Sequence, residues 1–181
     1  MLRMPLPTIA FFGAFMACSS ASAGTVIIVI DGIAVGRGIV NVAFCDHGPL
    51  EKCRQFGAEQ PAYAETVGFR FENIPPGNYA FVGFQDFDSS GDNERNMLGM
   101  PKEPFAVGPG EGAKLVPPPT YETIATPVTD GENVVRLTLR TLMGTAKEPG
   151  VATLPVEAVP LVTVTPVPAS PADVGLSPPR R

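Results

Sequence analysis

The chain has 181 residues and a formal net charge of −5 at pH 7, with 21 prolines, 19 glycines and no tryptophan. The net negative charge argues against nucleic acid and anionic lipid surfaces as partners. This density of proline and glycine favours short strands joined by turns over long helices.

The first 23 residues have the pattern of a secretory signal peptide. Arg3 is the only charged residue before an apolar run, Ile9 to Ala17, that is too short to span a bilayer as a permanent helix. Ala21-Ser22-Ala23 then places small residues where a signal peptidase reads them, which makes Gly24 the new N-terminus. We therefore expect a periplasmic or secreted protein. An alternative interpretation takes Phe15-Met16-Ala17-Cys18 as a lipoprotein box, with a lipid anchor on Cys18.

Two cysteines, Cys45 and Cys53, remain after such a cleavage and enclose a short Gly-Pro turn. An even number of cysteines suits an oxidising compartment, and a disulfide across this loop would stabilise the fold by roughly 2–3 kcal/mol through chain entropy. The alternative is a zinc site of Cys45, His47 and Cys53. Export argues against free thiolates, so we favour the disulfide. His47, the only histidine, is expected to be an exposed loop residue.

Residues 24–143 are predicted to form one β domain. Apolar residues alternate with polar ones in several segments, notably where Val135, Leu137 and Leu139 alternate with Arg136, Thr138 and Arg140, which places one face in a core and the other in water. The predicted strands are Thr25–Ile30, Gly38–Phe44, Glu65–Phe71, Tyr79–Phe84 and Asn133–Arg140. This pattern is typical of an all-β protein, an antiparallel sandwich of immunoglobulin-like or transthyretin-like type.

Residues 144–181 have a different composition, rich in Pro, Val, Ala, Ser and Thr. A proline every few residues removes hydrogen-bond donors and favours extended backbone. We predict a disordered, proline-rich C-terminal tail that acts as a spacer.

The segment Pro75-Pro76-Gly77-Asn78-Tyr79-Ala80 predicts a turn, with proline presetting φ and Gly77 supplying a positive φ. This segment, the acidic stretch Gln85 to Glu94 and Gly99-Met100-Pro101-Lys102-Glu103 together resemble a bacterial exported domain of unknown function numbered 2141. The resemblance covers about residues 24–140 and implies a transthyretin-like or immunoglobulin-like sandwich, with no established activity. Gln85 stands where that family has His, and Ser90 where it has Asn.

The acidic stretch also matches the first half of a calcium-binding loop, with ligand oxygens at alternate positions and a glycine, Gly91, at position 6. Position 12 is Met97 rather than a bidentate Glu, so weak affinity is expected unless Glu103 or another acid folds in. The competing interpretation is a solvated turn in which Asp and Asn cap their own backbone. The predicted Ca²⁺ ligands are Asp86, Asp88, Ser90, Asp92 and Glu94.

These patterns indicate an exported, noncatalytic β module with a structural Ca²⁺ loop and a cell-envelope protein or glycan as partner. The alternative function is a cell-envelope hydrolase that uses the carboxyl groups of Asp86 and Glu103. The sequence has no Gly-x-Ser-x-Gly motif, phosphate-binding loop or histidine pair to support nucleophilic or metal-assisted chemistry. We therefore expect a protein that is not an enzyme.

Overall fold

The computed structural model describes residues 23–91, 93, 101–109, 119–141, 144–145 and 159–164. This part of the chain consists of β-strands with one 3₁₀ turn, Leu50–Lys52, and one short helix, α1 (Tyr121–Ile124), so the all-β prediction is confirmed. In chain order the strands are β1 (Gly24–Asp31), β2 (Ile39–Cys45), β3 (Phe56–Pro61), β4 (Thr66–Ile74), β5 (Gly77–Asp86), β6 (Phe105–Val107), β7 (Thr126–Val128), β8 (Glu132–Thr138), β9 (Arg140–Thr141), β10 (Gly144–Thr145) and β11 (Leu161–Val164).

The strands form two sheets. The first has the order β11-β4-β1-β8, and the second has the order β10-β9-β6-β5-β2-β3, with β7 also paired to β5. The pairs β1–β4, β2–β3, β2–β5 and β5–β6 are antiparallel, which agrees with the predicted antiparallel arrangement, although β3 and β6 were not among the predicted strands. Two pairs of the first sheet, β1–β8 and β11–β4, are parallel, which was not predicted. Alternation along one strand reports its buried face but carries no information about the direction of its neighbour.

One apolar cluster joins the two sheets. The first sheet contributes Ile28, Ile30 and Phe69, and the second contributes Phe44 and Phe81. The five long predicted strands all supply buried residues to this cluster, because their apolar positions repeat every second residue.

Phe44 lies at the centre of an aromatic group within this cluster. Its ring centroid lies 4.8 Å from that of Phe56, 4.9 Å from Phe71 and 5.2 Å from Phe81. Rings at these separations contribute favourable contacts beyond the burial of their area. Truncation of Phe44 should therefore remove three close ring contacts from the core at once.

The turn at Pro75 and Pro76 joins β4 to β5, as predicted, but its conformation differs from the prediction. Gly77 does not have a positive φ, whereas Asn73, at the end of β4, has a φ of 61°. Asn is the residue type that tolerates the left-handed region best after glycine. The Tyr79 hydroxyl closes the turn by donating a hydrogen bond to the carbonyl of Pro75, at 3.0 Å.

Cys45 and Cys53 are a disulfide pair with Cα atoms 5.3 Å apart, and both are buried. The pairing agrees with the prediction and joins the end of β2 to the turn before β3. His47 is exposed and contacts the Asp46 carboxylate. This geometry favours the disulfide over the zinc alternative, because disulfide sulfurs are not thiolate ligands.

The predicted signal peptide lies almost wholly outside the described residues, and β1 begins at Gly24, the residue after the predicted cleavage site. No helix in the described ranges has the length and apolar composition needed to cross a bilayer. Much of the predicted tail, residues 146–158 and 165–181, is also outside the described part. Two short strands within the tail, β10 and β11, refine the prediction because they join the sheets.

Candidate cation-binding loop

The candidate site begins where β5 ends. Asp86, the last residue of β5, is 1 % exposed and lies opposite Ile39 of β2. Its carboxylate accepts two backbone hydrogen bonds, from the N–H of Ser90 at 3.1 Å and from that of Gly91 at 2.7 Å. The side chain therefore caps the loop that follows its own strand. Ser89, with a φ of 58°, and Gly91, with a φ of 85°, supply the left-handed backbone that curls the loop back.

Two further carboxylates converge on Asp86. The Asp88 carboxylate accepts a hydrogen bond from the N–H of Ser90 at 3.1 Å. Glu103 is 7 % exposed, and its Oε1 atom accepts a 2.6 Å hydrogen bond from the N–H of Phe87. One carboxylate oxygen from each acid lies within 4.8 Å of the other two. The three acids therefore form one cluster, with two buried members and one exposed.

The pKa of Asp88 lies below the usual value for an aspartate. The main cause is a hydrogen bond from the Ser90 side chain, followed by the Ser90 backbone N–H and then by a hydrogen bond with Asp86. Donors that bind the ionised form favour it. Asp88 is thus held as a carboxylate, the protonation state in which an aspartate binds a metal ion.

The structure brings some of the predicted Ca²⁺ ligands together and does not describe the others. Asp86 and Asp88 are brought together, and Ser90 lies beside them with its backbone N–H directed at both. Asp92 and Glu94 lie outside the described residues. Glu103 does join Asp86 and Asp88 in the cluster. The calcium-loop pattern required such an additional acid, because the loop has no glutamate at position 12. Glu103 reaches the cluster because the chain returns to the sheet just before β6, where Gln85 donates its backbone N–H to the Pro104 carbonyl at 2.9 Å.

Gln85 is a supporting residue whose role the sequence did not indicate. Its side chain is fully buried, and its Oε1 atom accepts from the Ala34 N–H at 2.9 Å. Its Nε2 atom donates to the carbonyls of Ala34 at 2.8 Å and Arg37 at 2.6 Å. One amide therefore satisfies three backbone groups of the β1–β2 loop. The only sequence signal is a glutamine directly after the predicted strand Tyr79–Phe84, and strand periodicity does not identify its partners.

The β1–β2 loop in turn packs against the acidic loop. The Arg37 guanidinium lies 3.9 Å from the centroid of the Phe87 ring. Gly38 has a φ of +63°, and a Cβ atom at this position would lie 1.8 Å from the Asp86 carbonyl oxygen. Glycine is required there because no side chain fits between the two backbones. The geometry of the acid cluster therefore depends on a second loop held by Gln85.

This arrangement provides hard oxygen donors at one end of the second sheet. Carboxylate oxygens are the ligands that Ca²⁺ prefers, and an aspartate or glutamate that caps backbone N–H groups retains further lone pairs. Asp86 and Glu103 are oriented by the backbone groups they bind, so their positions are set before any ion arrives.

No curated protein and no solved structure matches this chain. A family model described as an uncharacterized protein conserved in bacteria, DUF2141, matches residues 28–136. The matched segment runs from β1 into β8 and includes the acidic loop, Gln85 and Glu103. Because the match spans more than half of the chain, the protein belongs to this uncharacterised bacterial family, DUF2141.

Proposed function

We propose that the protein is an exported, noncatalytic β domain whose acidic loop binds Ca²⁺ and presents a stabilised surface to a cell-envelope protein or glycan. The observation that carries this proposal is the convergence of Asp86, Asp88 and Glu103 within 4.8 Å. Two of these acids are buried, and like charges that are buried together are unfavourable unless a proton or a cation offsets them. A bound divalent cation would provide that compensation.

Export is supported by the Cys45–Cys53 pair, because disulfides persist mainly in oxidising compartments. The signal-peptide pattern of residues 1–23 agrees with it. Intact-mass measurement of the native protein tests this part. A mass that begins at Gly24 supports a released protein, whereas a lipid-modified Cys18 would support the anchored alternative.

The hydrolase alternative has weaker support. Asp86 and Glu103 are 1 % and 7 % exposed, and both bind backbone N–H groups of the loop. A carboxyl pair that acts on a glycan must reach the bond to be cleaved. These acids instead face the loop backbone, which suits a structural or ion-binding role.

The test is a calcium titration of the chain from Gly24 onward. Calorimetry measures the heat of binding, and thermal melting measures the change in Tm. If Kd is about 1 mM, the weak end for extracellular modules, 10 mM calcium would stabilise the fold by about 1.4 kcal/mol. Asp88→Asn should reduce the heat of binding and the rise in Tm, because it removes one of the three negative charges around the ion and keeps an oxygen that accepts from Ser90.

Asp130→Asn is the matched control. Asp130 is an exposed acid between β7 and β8, and its loss should leave calcium binding unchanged. If calcium at 10 mM neither releases heat nor raises Tm, the loop is a turn stabilised by its own carboxylates, and the cation proposal is wrong. If the Asp88→Asn variant shows the same heat of binding and the same rise in Tm as the unaltered chain, the assigned ligands are also wrong.

A further inference from the structure

The outer face of the first sheet has a short apolar stripe. Ile27 and Val29 of β1 point away from the main core, and both are buried. Along this face, Val29 lies between Gly68 of β4 and Arg136 of β8 in the strand register. Such a stripe on an outer face is buried only if something covers it.

The covering segment is the chain's own residues 159–164. Val159 is 5 % exposed and forms a separate apolar cluster with Ile27 and Val29. Beyond it, β11 pairs in parallel with β4, with Leu161 opposite Gly68 and Val164 opposite Phe71. The segment adds a strand to an edge of β4 that would otherwise have unpaired backbone groups, which is the geometry of β-augmentation.

Gly68 shapes the position where the segment binds. A Cβ atom on Gly68 would lie 2.3 Å from Leu161 Cδ2 and 3.1 Å from Val159 Cγ1. The missing side chain therefore makes the space that the two aliphatic residues occupy. The edge of β4, Gly68 and the Ile27–Val29 stripe together define a groove, here called the β4 groove, which accepts an extended segment with a large aliphatic residue opposite Gly68.

The contact between residues 159–164 and the β4 groove is limited. The strand has only four residues, and Leu161 and Val162 remain 37 % and 38 % exposed. The main core lies on the other face of the sheet, where Val164 is partly buried against it. Loss of β11 would leave β1 with β4 and β8 as neighbours, so the sheet itself does not need the segment to form.

We propose that the β4 groove is a binding site for an extended peptide segment of a partner protein, and that residues 159–164 occupy it as a competing internal strand. The internal strand belongs to the same chain as the β4 groove, so its effective concentration there is about millimolar and it outcompetes a weak external ligand. A partner segment gains access when the internal strand is displaced. This inference is independent of the calcium proposal, because the acidic loop belongs to the other sheet.

The test uses a fluorescent peptide with the sequence of residues 157–166 as the probe and the chain from Gly24 onward as the protein. Val159→Asp with Leu161→Asp in the protein should release the internal strand, and Val162→Pro provides a second release variant. Hydrogen exchange across Gly68–Phe71 reports the release. Released protein should bind the probe at least tenfold more tightly than the unaltered chain does, and a probe with Leu161→Asp should not bind.

A further substitution separates binding in the β4 groove from nonspecific binding. Gly68→Val, added to the released variant, fills the space for the aliphatic side chain and should weaken probe binding at least tenfold. Gly57→Val replaces a glycine of β3 in the other sheet and is the matched control. It should leave probe binding unchanged.

Three results would overturn the proposal. The first is release without a gain in probe binding. The second is equal binding with Gly68→Val and Gly57→Val. The third is a failure of either release variant to raise exchange, which would make β11 a permanent part of the sheet.

Discussion

Replacement of Gln85 by leucine is the most direct test of how the acidic loop is supported. The two side chains are similar in size, so the substitution removes three hydrogen bonds without opening a large cavity. The N–H of Ala34 and the carbonyls of Ala34 and Arg37 lose their side-chain partner. Ala34 is half-buried and Arg37 is exposed, so water can reach part of the loop. We therefore take the low end of the cost of an unsatisfied group, about 1 kcal/mol each, or about 3 kcal/mol in total.

Equilibrium urea denaturation measures this loss. With an m value of about 2 kcal/mol/M, a loss of 3 kcal/mol lowers the midpoint by about 1.5 M. Gln55→Leu is the matched control, because Gln55 makes its two hydrogen bonds with the exposed residue Asp46. Its loss should cost less than about 1 kcal/mol. Gln85→His should be intermediate, since an imidazole offers one donor and one acceptor.

The reasoning is refuted if Gln85→Leu costs less than about 1 kcal/mol, or no more than Gln55→Leu. Such a result would mean that the β1–β2 loop is held by its other contacts. Those contacts include the Gly36 N–H with the Ala62 carbonyl at 2.7 Å and the stacking of Arg37 on Phe87.

Three further results are expected. Cys45→Ser with Cys53→Ser should lower the free energy of unfolding by roughly 2–3 kcal/mol, and reductant should produce the same loss in the unaltered chain but not in the variant. Phe44→Ala should cost about 3–5 kcal/mol in the same urea assay, and a loss below 2 kcal/mol would contradict its central position in the core. The Asp88 carboxyl, followed by NMR, should titrate below an aspartate of the unfolded chain. Its lowered pKa favours folding above the unfolded pKa, and this contribution disappears as the pH falls through the folded pKa. Ser90→Ala should raise that pKa towards its usual value, and an unchanged titration would contradict the assigned cause.

Several features could be predicted because their signals are local. The five long strands were recognised from alternating apolar residues, and each is present within a few residues of its expected bounds. The Cys45–Cys53 pairing followed from two cysteines on either side of a short turn. The positive φ of Gly77 was a wrong prediction, because a Pro-Pro-Gly sequence is compatible with more than one turn and the left-handed residue is Asn73.

The candidate site was predicted only in part. Asp86 and Asp88 are neighbours in the sequence, so a calcium-loop pattern was enough to identify them. Glu103 joins them because the chain returns to the sheet beside β5, and the position of that return depends on tertiary packing. The role of Gln85 was not predicted, because its partners lie about 50 residues away in the sequence, at separations of 48 and 51.

The sequence by itself determined the all-β class, the principal strands, the disulfide pair and the position of the acidic loop, since periodicity and turn chemistry act over a few residues. Only the tertiary structure decided that β1 and β8 run parallel, that Glu103 completes the acid cluster and that residues 161–164 return to the edge of β4. Each of these depends on which distant segments share the burial of apolar surface and the pairing of backbone groups. The pairing of distant segments depends on the whole chain, because every strand edge and apolar face competes for the same partners.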